Sequence, residues 1–140
     1  MNRFPEETDR LADLLFLALA HGVSSVEYGG PLIPFVISQA GGERTIHRFL
    51  DEGPAGLSVT GSVEGARAYA EGLAAMVEAW VLAYEEEMDV EGARRPAIVA
   101  EAHDPRTGTS LRYGQPYRPK RMFRKAHAVG NPVPLGVELP

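Results

Sequence analysis

The residues best suited to chemistry in this 140-residue chain are Glu101, His103 and Asp104, spaced Glu-x-His-Asp ahead of a turn. On a strand, positions 101 and 103 point to one face. A carboxylate and an imidazole that converge in this way can serve one ligand, as a general base or as part of a metal set. The turn Asp104-Pro105-Arg106-Thr107-Gly108 then reverses the chain. Pairing 104 with 109 sets Arg112 opposite Glu101, Leu111 opposite Ala102 and Ser110 opposite His103. Arg112 in that place repels a cation, so the group reads as a polar sheet face, with no metal and no cofactor expected. His47, on the polar face of an earlier hairpin, is the other imidazole that could approach across a sheet. His21 and His127 have no metal-type partner at helical spacing.

Other catalytic patterns are missing. No serine stands in a Gly-x-Ser-x-Gly elbow. Gly29-Gly30, Gly41-Gly42 and Gly53 with Gly56 lack the spacing of phosphate-binding loops and read as turns. The chain has no cysteine, which rules out disulfides, thiolate nucleophiles and Cys-ligated zinc or iron–sulfur clusters. No enzymatic activity is therefore assigned. A small-molecule binder or enzyme built on Glu101 and His103 stands as one alternative.

The second chemical feature is the placement of charge. Residues 1–104 carry eighteen Asp/Glu against seven Arg, whereas residues 105–140 carry seven Lys/Arg against Glu138 alone. Six of the late cations fall within Arg112–Lys125, interleaved with Tyr113, Tyr117 and Phe123. Cations with interleaved aromatics suit single-stranded nucleic acid, through phosphate neutralisation and base stacking. A sequence pI near 5.4 and the acidic body oppose a polyanion at long range. The favoured reading is electrostatic docking of Arg118, Arg121, Arg124 and Lys125 on Glu71, Glu78, Glu85 and Glu86, within one molecule or between two copies. Nucleic-acid binding through residues 112–125 is the weaker alternative.

The elements that must position these groups follow from periodicity. Leu11, Leu14, Leu15 and Ala18 predict a first helix over Pro5–His21, stopped by Gly22. Phe16, Leu17 and Leu19 widen its apolar surface, so cover on more than one side is expected. Leu32–Gln39 and Arg44–Leu50 predict a hairpin about Gly41-Gly42, with Phe35 opposite Arg48 and Ile37 opposite Ile46. Pro34 suggests that its first strand lies at a sheet edge. Residues 51–61 read as a loop, and Ser62 as the N-cap of a long helix over Val63–Met88. Val63, Ala66, Ala70, Leu73, Val77, Trp80 and Tyr84 alternate three and four apart along it, as a heptad seam. Pro96–His103 and Thr109–Tyr117 form the last hairpin.

The expected fold is a two-layer α+β domain over residues 1–117. Tandem αββ units build a four-stranded antiparallel sheet with both helices on one side. Residues 118–140 follow as a basic, Pro/Gly-rich strap. The apolar run Leu14–Ala20 follows Glu6, Glu7, Asp9 and Asp13, not the basic region of a signal peptide. No stretch reaches the roughly 20 apolar residues of a membrane span. The expectation is a soluble, cytoplasmic, non-enzymatic interaction domain with no membrane partner. A homodimer is expected, with Val63, Leu73, Val77, Trp80 and Tyr84 supplying the apolar contact and an unknown protein as a further partner.

Overall fold

The computed structural model describes residues 4–49, 52–53, 56–57, 59–73 and 75–138. The chain runs α1 (Phe4–Ser25), β1 (Phe35–Ala40), β2 (Glu43–Arg48), β3 (Glu52–Gly53), β4 (Gly56–Leu57) and α2 (Val59–Gly72). It continues through β5 (Ala79–Val90), β6 (Ala93–His103), β7 (Ser110–Arg118), β8 (His127–Ala128) and β9 (Val133–Glu138). Seven strands form one antiparallel sheet in the order β2-β1-β5-β6-β7, with β8 and β9 both joined to the far side of β7. The class is α+β, with a sheet larger than the expected four strands. No helix among the described residues is long and apolar enough to cross a membrane.

The largest correction concerns the expected helix over Val63–Met88. Helix α2 begins at Val59 and ends at Gly72, so Ser62 lies inside it and is not its cap. Residues 79–90 form the longest strand instead. Strand β5 is central in the sheet, and each face of it is covered by a helix. Trp80, Val81, Leu82, Ala83 and Tyr84 are consequently all buried. A strand buried on both faces is a continuous apolar run, which periodicity cannot separate from a buried helix. Expected positions at Leu50, Asp51, Pro54, Ala55 and Ser58 lie outside the described residues.

The helices cover opposite faces, not one side. Leu11, Leu14, Leu15, Ala18 and Leu19 of α1 pack on Phe35, Ile37, Val81, Ala83, Ile98 and Ala100. Ala66 and Ala70 of α2 pack on Val36, Trp80, Leu82, Tyr84 and Val99. The alternation of strand side chains divides these two sets. On α1, Leu19 is buried while Phe16 and Leu17 stay about two-fifths exposed, at 42% and 40%, so the expected second cover is only partial. Gly22 does not stop α1, which runs on to Ser25. It marks a close crossing, because a Cβ there would lie 2.5 Å from Ile98 Cγ2.

Both predicted hairpin registers hold. Phe35 pairs with Arg48 and Ile37 with Ile46. Glu101 pairs with Arg112, Ala102 with Leu111 and His103 with Ser110. In the second turn, Asp104 Oδ1 accepts the Arg106 N–H at 2.8 Å, and Gly108 takes φ 78°. Strand β1 is internal, not an edge. Pro34 precedes it, and the Pro34 carbonyl accepts the Phe49 N–H at 2.9 Å, so the missing proline donor interrupts no ladder. The turn between β5 and β6 has Glu91 at φ 51° and Gly92 at φ 82°, the positive pair that a two-residue hairpin of this twist requires.

Candidate functional site

Helix α2 is short and leaves part of its face open. At 14 residues it spans about 21 Å, against about 33 Å for the 22-residue α1. It packs on β5 and β1, while α1 reaches β5, β6 and β7. Among the described residues, α2 leaves much of its side of β6, β7 and β9 uncovered. A cleft of about 530 Å³ lies there, lined by Arg67 and Glu71 of α2, Trp80 of β5, Glu101 and His103 of β6, Ser110 and Arg112 of β7, and Leu135 and Gly136 of β9. That volume is within the range of small-ligand sites.

Glu101 anchors the floor. Its two oxygens accept from Arg67 Nη1 at 2.6 Å and Nη2 at 3.0 Å, a bidentate fork. The Tyr84 hydroxyl donates to the same carboxylate. Arg112 Nε stands 3.5 Å away, and Arg112 Nη2 donates to Tyr84 Oη at 3.1 Å and to Glu86 at 2.9 Å. Burial pulls the Glu101 carboxyl upward, but hydrogen bonds from Arg67 and Tyr84 and the charges of Arg67 and Arg112 outweigh it. The net position lies below the ordinary carboxylate value. The hydrogen bond to Glu101 raises Arg67, and burial followed by Glu101 raises Tyr84. A carboxylate held ionised by three donors is a poor proton donor or acceptor near neutrality. Its role is to orient the two guanidinium groups.

His103 and Ser110 form the wall. Nδ1 and Oγ are 2.7 Å apart, and the imidazole lies 5.5 Å from the Trp80 ring. The pair sits directly opposite across two strands, as the turn dictates. Glu101 is occupied by other donors and does not orient the imidazole as the carboxylate of a hydrolytic triad would. The Trp80 indole N–H is buried and has no partner among the described residues.

The remaining predicted residues lie elsewhere. His47 stacks on Tyr69 at 4.7 Å and lies tilted against Phe49 at 4.7 Å, on the β2 side of α2. Through Val36 and Leu82 it is three strands from Glu101, about 14 Å at ordinary strand spacing. Trp80 and Tyr84 are core residues, Val63 and Val77 pack against the same cluster, and Leu73 is half-buried. The expected heptad seam is thus divided between a helix, a turn and a strand, and all of it but Leu73 joins one apolar cluster within the chain.

Among the described residues, none of the late cations Arg118, Arg121, Arg124 and Lys125 pairs with Glu71, Glu78, Glu85 or Glu86. Arg118, Arg121, Arg124 and Lys125 are exposed and form no ion pair among the described residues. Glu78 accepts the Gly41 N–H at 2.7 Å, Glu85 accepts the Tyr117 hydroxyl at 2.7 Å, Glu86 holds Arg112, and Glu71 lines the cleft. Arg112, the first of the clustered late cations, meets Glu86 and Glu101. The strap itself returns to the sheet through main-chain pairing in β8 and β9.

Arg67, the strongest partner of Glu101, was not legible as a site residue. Its one signal was position: an arginine among Val63, Ala66 and Ala70 on a small apolar stripe needs an anion beneath it. No group of three or more His, Cys, Asp or Glu side chains gathers as a metal site among the described residues. Comparison with protein-family models, with curated proteins and with solved structures found no match for this chain.

Proposed function

We propose that this protein binds a small polar molecule in the cleft between α2, β6, β7 and β9. The observation that carries this reading is convergence. The Arg67–Glu101–Arg112 network, the His103–Ser110 pair and the Trp80 side chain all border one cavity. A preorganised polar floor beside apolar walls is the usual composition of a ligand site. Two guanidinium groups are balanced there by the carboxylates of Glu71 and Glu101, which favours a ligand of no net charge. Hydrogen-bonding groups of that ligand meet the Arg112 and His103 side, and its apolar portion meets Trp80 and Leu135.

The test is ligand-observed NMR against a panel of small neutral and zwitterionic polar compounds. A Cβ at Gly136 meets no atom within 4 Å, so Gly136→Phe is the variant chosen to narrow the cleft, with its fold checked by thermal unfolding. Binding to the parent protein that is lost in this variant is the expected result. Hits retained by the filled variant, or a panel with no hits, would overturn the reading.

A further inference from the structure

Residues 118–125 read Arg-Pro-Lys-Arg-Met-Phe-Arg-Lys, five cations with no carboxylate, and all eight are exposed. They form the end of a hairpin. Its base is fixed by the pairs Tyr117–Ala128 and Arg118–His127, and by the Ala126 N–H donating to the Glu27 carbonyl at 2.9 Å. Arg121 and Arg124 close its tip with mutual main-chain hydrogen bonds. The two residues between them, Met122 and Phe123, are 84% and 100% exposed. The hairpin is therefore a fixed wedge, with an apolar apex and cationic shoulders that find no anion within the chain among the described residues.

We propose that this wedge docks on the surface of a membrane containing anionic phospholipids. Met122 and Phe123 enter the boundary between headgroups and acyl chains, while Arg118, Lys120, Arg121, Arg124 and Lys125 hold lipid phosphates. Apolar residues at the tip with cations set behind them match the depth profile of a bilayer interface, where long basic side chains keep their heads at the phosphate level. The contact is peripheral and needs no spanning segment. The acidic residues of the body lie outside this run, and screening over roughly 8 Å at physiological salt limits their repulsion once the wedge faces the surface.

Two other occupants fit less well. Single-stranded nucleic acid needs a row of accessible rings, but Tyr117 is buried with its hydroxyl on Glu85, and Tyr113 is half-buried with its ring against Phe16. Only Phe123 of the three interleaved aromatics can stack. A second copy of this chain would need an apolar groove flanked by carboxylates. The groove between α1 and β7, lined by Phe16, Leu19, Val23 and Pro132, offers Glu27 alone.

The experiment is co-sedimentation of the full chain with vesicles of phosphatidylcholine, with and without phosphatidylserine, beside anisotropy titration of a labelled single-stranded oligonucleotide. The proposal expects partition onto the serine-containing vesicles only. Each cation changed to Gln lowers partition by about fivefold. The double variant Met122→Ser with Phe123→Ser lowers it by about tenfold or more with every charge retained. Partition unaffected by that double variant, equal partition onto both vesicle types, no partition, or binding to the oligonucleotide alone would overturn it.

Discussion

The two faces of the sheet are built from similar strands but do different work. Under α1 the contact is apolar: Leu11, Leu14, Leu15 and Leu19 meet Phe35, Val81 and Ile98, and the helix reaches three strands. Under α2 the apolar contact is smaller and made by alanines, and the uncovered remainder carries Glu101, His103, Ser110 and Arg112. Each helix leaves an opening over β7, apolar beside the longer α1 and polar beside the shorter α2. The polar residues on that floor then need one another, and the Arg67–Glu101 fork supplies the tie that apolar packing supplies opposite.

The sharpest separation of the faces comes from Leu15→Ala. Leu15 is fully buried, so its truncation should cost about 3 kcal/mol in denaturant unfolding while ligand binding in the cleft is unchanged. Loss of binding in a still-folded variant would mean that the faces are not separable.

Glu101→Gln addresses the other face. Two half-buried guanidinium groups lose their anion, but their exposure limits the cost to about 2 kcal/mol at neutral pH. The sign with pH follows from the depressed carboxyl. Its stabilisation is complete above the unfolded value near 4.5 and is lost as pH falls through the lower folded value. The stability gap between parent and variant should therefore close in acid. A gap that stays constant down to acid unfolding would show that Glu101 is not held ionised.

The smallest effect is expected from Gly22→Ala, where two terms oppose. Alanine improves helix propensity by about 1 kcal/mol, but its Cβ collides with a branched, fully buried isoleucine. Overpacking wins, with a net loss of about 1–2 kcal/mol by thermal unfolding. Pairing it with Ile98→Val should recover part of that loss.

Much of the site's local geometry was legible. The Asp-Pro-x-x-Gly turn fixes its own register, and the register places Arg112 on Glu101 and Ser110 on His103. What could not be read was everything set by layers. Trp80–Tyr84 is apolar on both sides because a helix covers each, so the run looks helical although it is a strand. Gly22 looks like a helix stop because a one-dimensional reading cannot show Ile98 beneath it. Arg67 lies 34 residues from Glu101, and nothing local links them. The split of charge was plain; among the described residues Arg112 meets Glu86 and Glu101, while Arg118, Arg121, Arg124 and Lys125 are exposed.

The most direct test of the account uses the only tryptophan, which lines the cleft. Heteronuclear NMR on the parent protein, titrated with a compound found by the ligand screen, should shift the Trp80 indole N–H together with the amides of Glu101, His103, Ser110 and Arg112. The amides of Leu14, Leu15 and Ile98 should stay in place. Shifts that map instead to α1 and its face of the sheet, with the indole resonance unmoved, would contradict the claim that the open face is the binding face.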